Sequence, residues 1–148
     1  MSQKFRVLLR VRYAECDAQH VVFNSRYGDY VDVAATEFIR ELFGGYEKLM
    51  AQGIDSQVVR LTTNWKSPAR FDDVLSISVE TIYIGNTSYS LGLEFREHFS
   101  QREIATAEIT YVLVTPMEHA KLSIPDFLRV ELLAGAAGKT MNFSGVDV

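Results

Sequence analysis

Asp17 is the residue of this chain best placed to do chemistry. It lies in the run Tyr13-Ala14-Glu15-Cys16-Asp17-Ala18-Gln19-His20-Val21-Val22-Phe23-Asn24, where an alternating strand pattern gives way to an amphipathic helix pattern. Loops held between rigid elements carry much of protein chemistry. A helix starting shortly after Asp17 would present unpaired N–H groups and positive partial charge. Such groups can stabilise an oxyanion as it forms. A carboxylate beside them can act as general base on water or attack a carbonyl directly. The competing reading of Asp17 is a solvated loop carboxylate or the first residue of an Asx turn.

Other reactive residues are weaker candidates. Cys16 near His20 invites a thiolate reading, which needs a lowered thiol pKa and an orienting base. The adjacent Asp17 works against it, since a neighbouring negative charge disfavours the thiolate. No His/Cys cluster has metal-ligand spacing, so no metal is expected. Gly44-Gly45 reads as a helix stop rather than a phosphate loop.

The elements that would position Asp17 are legible from period. Phe5, Val7, Leu9, Val11 and Tyr13 alternate with Arg6, Leu8, Arg10 and Arg12, predicting a strand that ends near Tyr13 with one apolar and one mostly basic face. Tyr27, Tyr30, Val31, Ala34, Ala35, Phe38 and Leu42 fall at helical spacing, predicting a helix over about 27–43, with Asn24 or Ser25 as its cap. A short helical stretch over 46–52 stops at Gly53. Four strands follow: Val59 to Trp65, Leu75 to Tyr83, Tyr89 to Phe95 and Ile104 to Thr115, with Gly85-Asn86 as a tight turn between the second and third. A terminal helix is predicted after Pro125. The Gly-rich tail from about Gly135 reads as loose. One long helix among successive strands has no α/β crossovers, so the expected architecture is α+β, an antiparallel sheet curled around the helix.

Composition agrees with a single domain over 1–148. Hydrophobic residues make up 47% and charged residues 23% of the 148, enough to build a core. The net charge of -4 is spread along the chain with no basic block, which argues against nucleic-acid binding. No apolar run reaches the roughly 18 residues needed to span a bilayer, so no membrane insertion is expected. The one cysteine and the absence of a leader-like N-terminus point to the cytoplasm.

The run from Tyr13 to Phe38 resembles the hotdog-fold acyl-CoA thioesterases of the 4-hydroxybenzoyl-CoA thioesterase-like group. The matching residues are Arg12-Tyr13, Asp17-Ala18, Val21, Asn24, Tyr27, Tyr30 and Ala34 to Phe38. Trp65-Lys66-Ser67-Pro68-Ala69-Arg70-Phe71-Asp72-Asp73 and Ile124-Pro125 with its following helix extend the likeness over roughly 5–133. The resemblance implies a curved antiparallel sheet wrapped around one long helix, paired into a homo-oligomer, either a dimer or a homotetramer made of two such dimers, with the thioester at the dimer interface near the helix N-terminus. It implies that Asp17 is the catalytic carboxylate, as nucleophile or general base, and that the backbone N–H of Asn24 is the oxyanion donor. CoA enters as part of the substrate, and no separate cofactor is implied. Tyr27, Tyr30 and Trp65 could line an acyl site or simply pack the core. Lys66 and Arg70 could meet the CoA phosphates, since phosphates favour such cations, or be solvated.

The chain departs from its relatives in places. Where many carry Gly-His-Val-Asn-Asn, it has His20-Val21-Val22-Phe23-Asn24, with His20 at the Gly position. Others have a histidine where Asn24 stands, so a mechanism needing that histidine does not apply. A frequent mid-helix Arg is Ala35 here. Two other activities fit the fold class: an acyl-thioester dehydratase, which would need a histidine such as His20 paired with a carboxylate, and an acyl-CoA-binding module without catalysis. Fold alone does not choose among them.

Overall fold

The structure, a computed structural model, describes residues 3–147. Six strands and three helices follow one another as β1 (Phe5–Arg10), a 3-10 turn (Tyr13–Glu15), α1 (Arg26–Phe43), α2 (Tyr46–Ala51), β2 (Asp55–Trp65), β3 (Val74–Ile84), β4 (Ser88–Glu97), β5 (Glu103–Val114), α3 (Asp126–Ala134) and β6 (Thr140–Asn142). The strands form one sheet in the order β2-β5-β4-β3-β1-β6. Every pairing is antiparallel except β1 with β6. This is the expected α+β arrangement, a curved sheet around one long helix.

The stripe on α1 explains why the sheet closes over it. Tyr27, Tyr30, Val31, Ala34, Ala35, Phe38 and Ile39 are all buried, and they recur every three or four residues, so they share one helix face. Small residues in mid-helix let the sheet approach closely, and Phe38 fills the remaining depth against Phe5, with ring centroids 5.5 Å apart. Nearer the helix start, Tyr27 packs edge-on against Tyr30, Trp65 and Phe95 at 5.9, 5.8 and 5.5 Å, a favoured aromatic geometry. Gly44 ends the helix in the left-handed region (φ 83°), its N–H returning to the Arg40 carbonyl. The N-terminal cap differs from expectation. Ser25 occupies the cap position, but neither its hydroxyl nor the Asn24 amide closes a cap hydrogen bond.

Two further expectations are corrected. β1 stops at Arg10 rather than near Tyr13, because the Arg12 N–H is taken by the Glu15 carboxylate at 2.8 Å and the chain turns into the 3-10 turn. On the mostly basic face of β1, Leu8 is fully buried. The tail is the second correction. Thr140–Asn142 pairs with Arg6–Leu8 as a sixth strand. The chain beyond it folds back so that the Ser144 carbonyl accepts from Arg10 Nε at 2.9 Å. The physical reason is the exposed edge of β1, whose unpaired N–H and C=O groups recruit the tail. Glycine content marks local freedom and says nothing about that distant partner.

The opposite edge, β2, stays open. Among the described residues no strand pairs with its outer side. A bulge between Val58 and Arg60 leaves Val59 without a register partner on β5. Val58, Val59, Leu61 and Trp65 are 50%, 59%, 43% and 52% exposed along this edge.

Candidate active site

The Asp17 segment is a small hairpin. Cys16 bridges Val22 in antiparallel fashion. The Asp17 N–H donates to the Val21 carbonyl at 2.9 Å, the His20 N–H to the Asp17 carbonyl at 2.9 Å, and the Phe23 N–H to the Glu15 carbonyl at 2.9 Å. His20 closes the turn with φ 66°. That left-handed conformation favours glycine, while His is among the side chains that adopt it more readily. His20 fills this left-handed position at the exposed tip of the hairpin.

Asp17 is half-buried. Its Oδ1 accepts the Gln19 N–H at 2.8 Å, which is the Asx turn of the competing reading. Oδ2 has no hydrogen-bond partner among the described residues. One carboxylate oxygen thus anchors the side chain while the other is left for a reacting group, so the structural role and the chemical role coexist.

The return arm of the hairpin leads straight into α1. The carbonyls of Phe23 and Asn24 accept from the N–H groups of Arg26 and Tyr27 at 2.9 and 3.3 Å. The Asn24 N–H donates to no protein group among the described residues. It is an orphan donor at the positive end of an 18-residue helix.

A third segment holds the hairpin from its far side. The Val22 N–H donates to the Ala69 carbonyl at 2.8 Å, and Val21 bridges Arg70. Arg102, in the turn between β4 and β5, ties this segment down: Nη1 donates to Ser67 Oγ at 2.6 Å and the Pro68 carbonyl at 2.7 Å, and Nη2 pairs with Asp73 Oδ2 at 3.5 Å. Nothing in the local sequence marks Arg102, whose partners lie more than 25 residues away.

The remaining candidates separate. Tyr27 is only 2% exposed and packs the core, whereas Trp65, edge-on to it, stands half in solvent at the open β2 edge. Burial pushes the Tyr27 phenol up, so it stays neutral. Lys66 Nζ is committed to Glu103 at 3.1 Å. Arg70 is exposed, and its side chain makes no ion pair among the described residues, beside Val21 of the hairpin. Cys16 does not pair with His20; its Sγ lies 3.7 Å from the Arg12 carbonyl. Burial, then Glu15, Asp17 and Asp73, push the thiol up, against nucleophilic use.

Glu15 is the residue that the sequence reading passed over. It is 7% exposed and charged. Burial alone would raise its carboxyl pKa, but donors from the Arg12 side chain and backbone, with the Tyr30 hydroxyl, outweigh that and hold it below the usual range. The three-residue spacing from Arg12 to Glu15 is that of a capping box, the one local signal that could have flagged it.

With this geometry in place, comparison with known proteins is decisive. The family described as the Thioesterase-like superfamily matches residues 11–132. The chain belongs to that family. Its match begins just after β1 and closes within α3, so it takes in the hairpin, α1 and the segment that Arg102 holds. The acyl-CoA thioester hydrolase YbgC of Escherichia coli O6:H1 is 30% identical over 130 residues, 86% of this chain and 94% of the relative. Among solved structures, a gentisyl-coenzyme A thioesterase superposes with a TM-score of 0.75 at 26% identity, over 84% of this chain and 98% of that one. A 1,4-dihydroxy-2-naphthoyl-CoA thioesterase from Synechocystis shares the fold at a TM-score of 0.79 and 16% identity, over 87% and 95% of the two chains. The hotdog architecture and a thioesterase activity follow for this member of the superfamily. Among the described residues, no helix is long and apolar enough to cross a membrane.

Proposed function

We propose that the chain hydrolyses acyl-CoA thioesters to a free acid and CoA. The observation that carries this reading is Asp17: one carboxylate oxygen is anchored and the other has no partner among the described residues, on a hairpin that leads into α1 past an Asn24 N–H without an acceptor among those residues. The likeness to an acyl-CoA thioester hydrolase supports the substrate class. In the general-base route, Asp17 takes a proton from water, and the hydroxide adds to the thioester carbonyl. The developing oxyanion accepts from the Asn24 N–H. Collapse breaks the C–S bond, and the CoA thiolate leaves with the proton returned through Asp17. In the nucleophilic route, Asp17 itself adds, CoA leaves, and water hydrolyses the mixed anhydride. Trp65 would face the acyl group, and Arg70, the less committed of the two cations, would meet the CoA phosphates. Neither route draws on a metal or prosthetic group, and the cytoplasm suits a substrate of this kind.

A panel of short, long and aromatic acyl-CoAs, assayed for released thiol, tests the reading. Turnover of at least one member at an ordinary enzyme rate, about 1 per second or faster, is expected. Tight binding without thiol release, or hydration of an enoyl thioester instead, would replace it with the binding-module or dehydratase activity.

The same reading includes a homodimer through β2. An edge strand with open N–H and C=O groups and exposed Val58, Val59, Leu61 and Trp65 is suited to antiparallel pairing with a second copy. Light scattering should give at least a dimer. Leu61→Lys should shift the population toward monomer and lower activity with it, because Trp65 and the helix N-terminus lie at that edge. A wild-type monomer that turns over substrate would remove the interface from the mechanism.

A further inference from the structure

Two residues before Asp17, a buried glutamate is held by three separate parts of the chain, two through its carboxylate and one through its backbone carbonyl. Glu15 Oε1 accepts the Arg12 N–H at 2.8 Å and the Tyr30 hydroxyl at 2.9 Å. Oε2 accepts Arg12 Nε at 2.9 Å and Nη2 at 2.6 Å. The Glu15 carbonyl accepts the Phe23 N–H from the return arm of the hairpin. One residue therefore joins the exit of β1, the hairpin arm next to Asn24, and the second turn of α1.

The chemistry of that arrangement is costly to maintain for packing alone. A buried carboxylate loses hydration that only well-aligned donors restore, and an apolar side chain of similar volume would often serve stability as well or better. What an ion held by a forked guanidinium, a backbone N–H and a hydroxyl provides is fixed orientation. Here the orientation is that of the Asp17 arm relative to α1. Tyr30 carries the link onward, edge-on to Tyr27, which is edge-on to Trp65. Burial and the nearby Glu15 charge push the Tyr30 phenol well above its ordinary value, so it remains a donor throughout the working pH range.

We propose that Glu15, through its hydrogen bond with Tyr30, is a positioning residue that sets where the Asp17 carboxylate stands relative to the Asn24 N–H. The proposal rests on the hydrolase reading above. It assigns Glu15 no contact with substrate and makes its effect geometric: a shift of about 1 Å between reacting groups can cost on the order of 10²-fold in rate.

Steady-state kinetics of Glu15→Gln and Tyr30→Phe, corrected for the folded fraction in each preparation, test this, with Asp17→Asn run alongside. Glu15→Gln should lower kcat by about 10²-fold and Tyr30→Phe by about 10-fold, with KM moved less than about 2-fold in both. The double variant should be little slower than Glu15→Gln alone, because the two groups share one bond. Tyr30→Phe keeps the ring in the core, so the test stands even where Glu15→Gln folds poorly. Wild-type kcat per folded molecule in both single variants, or a raised KM at unchanged kcat, overturns the proposal. If Asp17→Asn is inactive while both variants turn over normally, only the role of Glu15 falls. If Asp17→Asn is fully active, the hydrolase reading of the site falls and takes this role with it.

Discussion

Asp17→Asn should lower kcat for acyl-CoA hydrolysis by about 10³-fold or more, within the range expected for removing a general base or nucleophile. The fold should barely notice. Asparagine keeps an Oδ1 that can accept the Gln19 N–H, so the Asx turn survives, and a half-exposed loop substitution of this kind moves stability by about 0.5 kcal/mol or less. Asparagine can neither take a proton from water nor displace a thiolate. The measurement is thiol release under saturating substrate, with thermal unfolding of both proteins as the control. A variant that retains wild-type turnover at unchanged stability would mean that Asp17 is only a turn residue. Trapping a covalent acyl-enzyme on the wild-type protein would separate the anhydride route from the water route.

The second large effect is expected at Asn24, and it divides backbone from side chain. Asn24→Pro deletes the N–H assigned to the oxyanion and should lower kcat by about 10²-fold to 10³-fold, the usual consequence of losing one such donor. Asn24→Ala keeps that N–H and, with an exposed side chain that makes no cap bond, should stay within about 3-fold of wild type. Proline is compatible with this position on two grounds. It precedes the first helical residue, where an N–H has no intrahelical partner. It is also the second residue of the turn closed by the Arg26 N–H on the Phe23 carbonyl at 2.9 Å, a position that favours proline. Equal loss in both variants would transfer the role to the amide side chain. Full activity in Asn24→Pro would remove the oxyanion assignment.

Much of the positioning machinery was legible because it is local. The change of period between Tyr13 and Tyr27 marked a strand-to-helix junction, since side-chain direction repeats every two residues in one and every 3.6 in the other. Gly44 and Gly85 punctuated the elements they were expected to end. Asp17 stood out by residue type and by its distance from the coming helix. Reading Cys16 as inert drew on its neighbour Asp17, although in the fold burial and Glu15 weigh more.

Other residues were illegible for an equally physical reason: their partners are remote. Arg102 looks like any turn arginine until it meets Ser67, 35 residues away. Arg10 reaches Ser144 across a separation of 134 residues, and that contact belongs to a tail whose composition signalled only looseness. Lys66 and Arg70 have similar local settings, yet one is paired with Glu103 and the other has no ion pair among the described residues. Glu15 lies between these cases. Its bond to the Arg12 backbone is local, but its bond to Tyr30 comes from the helix face.

By itself, then, the sequence determined the order of elements from β1 to α3, the α+β class, and Asp17 as the carboxylate to test, because periodicity and residue type are carried by neighbours along the chain. The tertiary structure alone decided that, among the described residues, one Asp17 oxygen is anchored and the other unpartnered, that Glu15 is a buried ion joining hairpin to helix, that the tail closes the β1 edge, and that no strand covers the β2 edge. Each of those depends on which distant backbone or charge arrives to complete a hydrogen bond, and that is settled only when the sheet closes around α1.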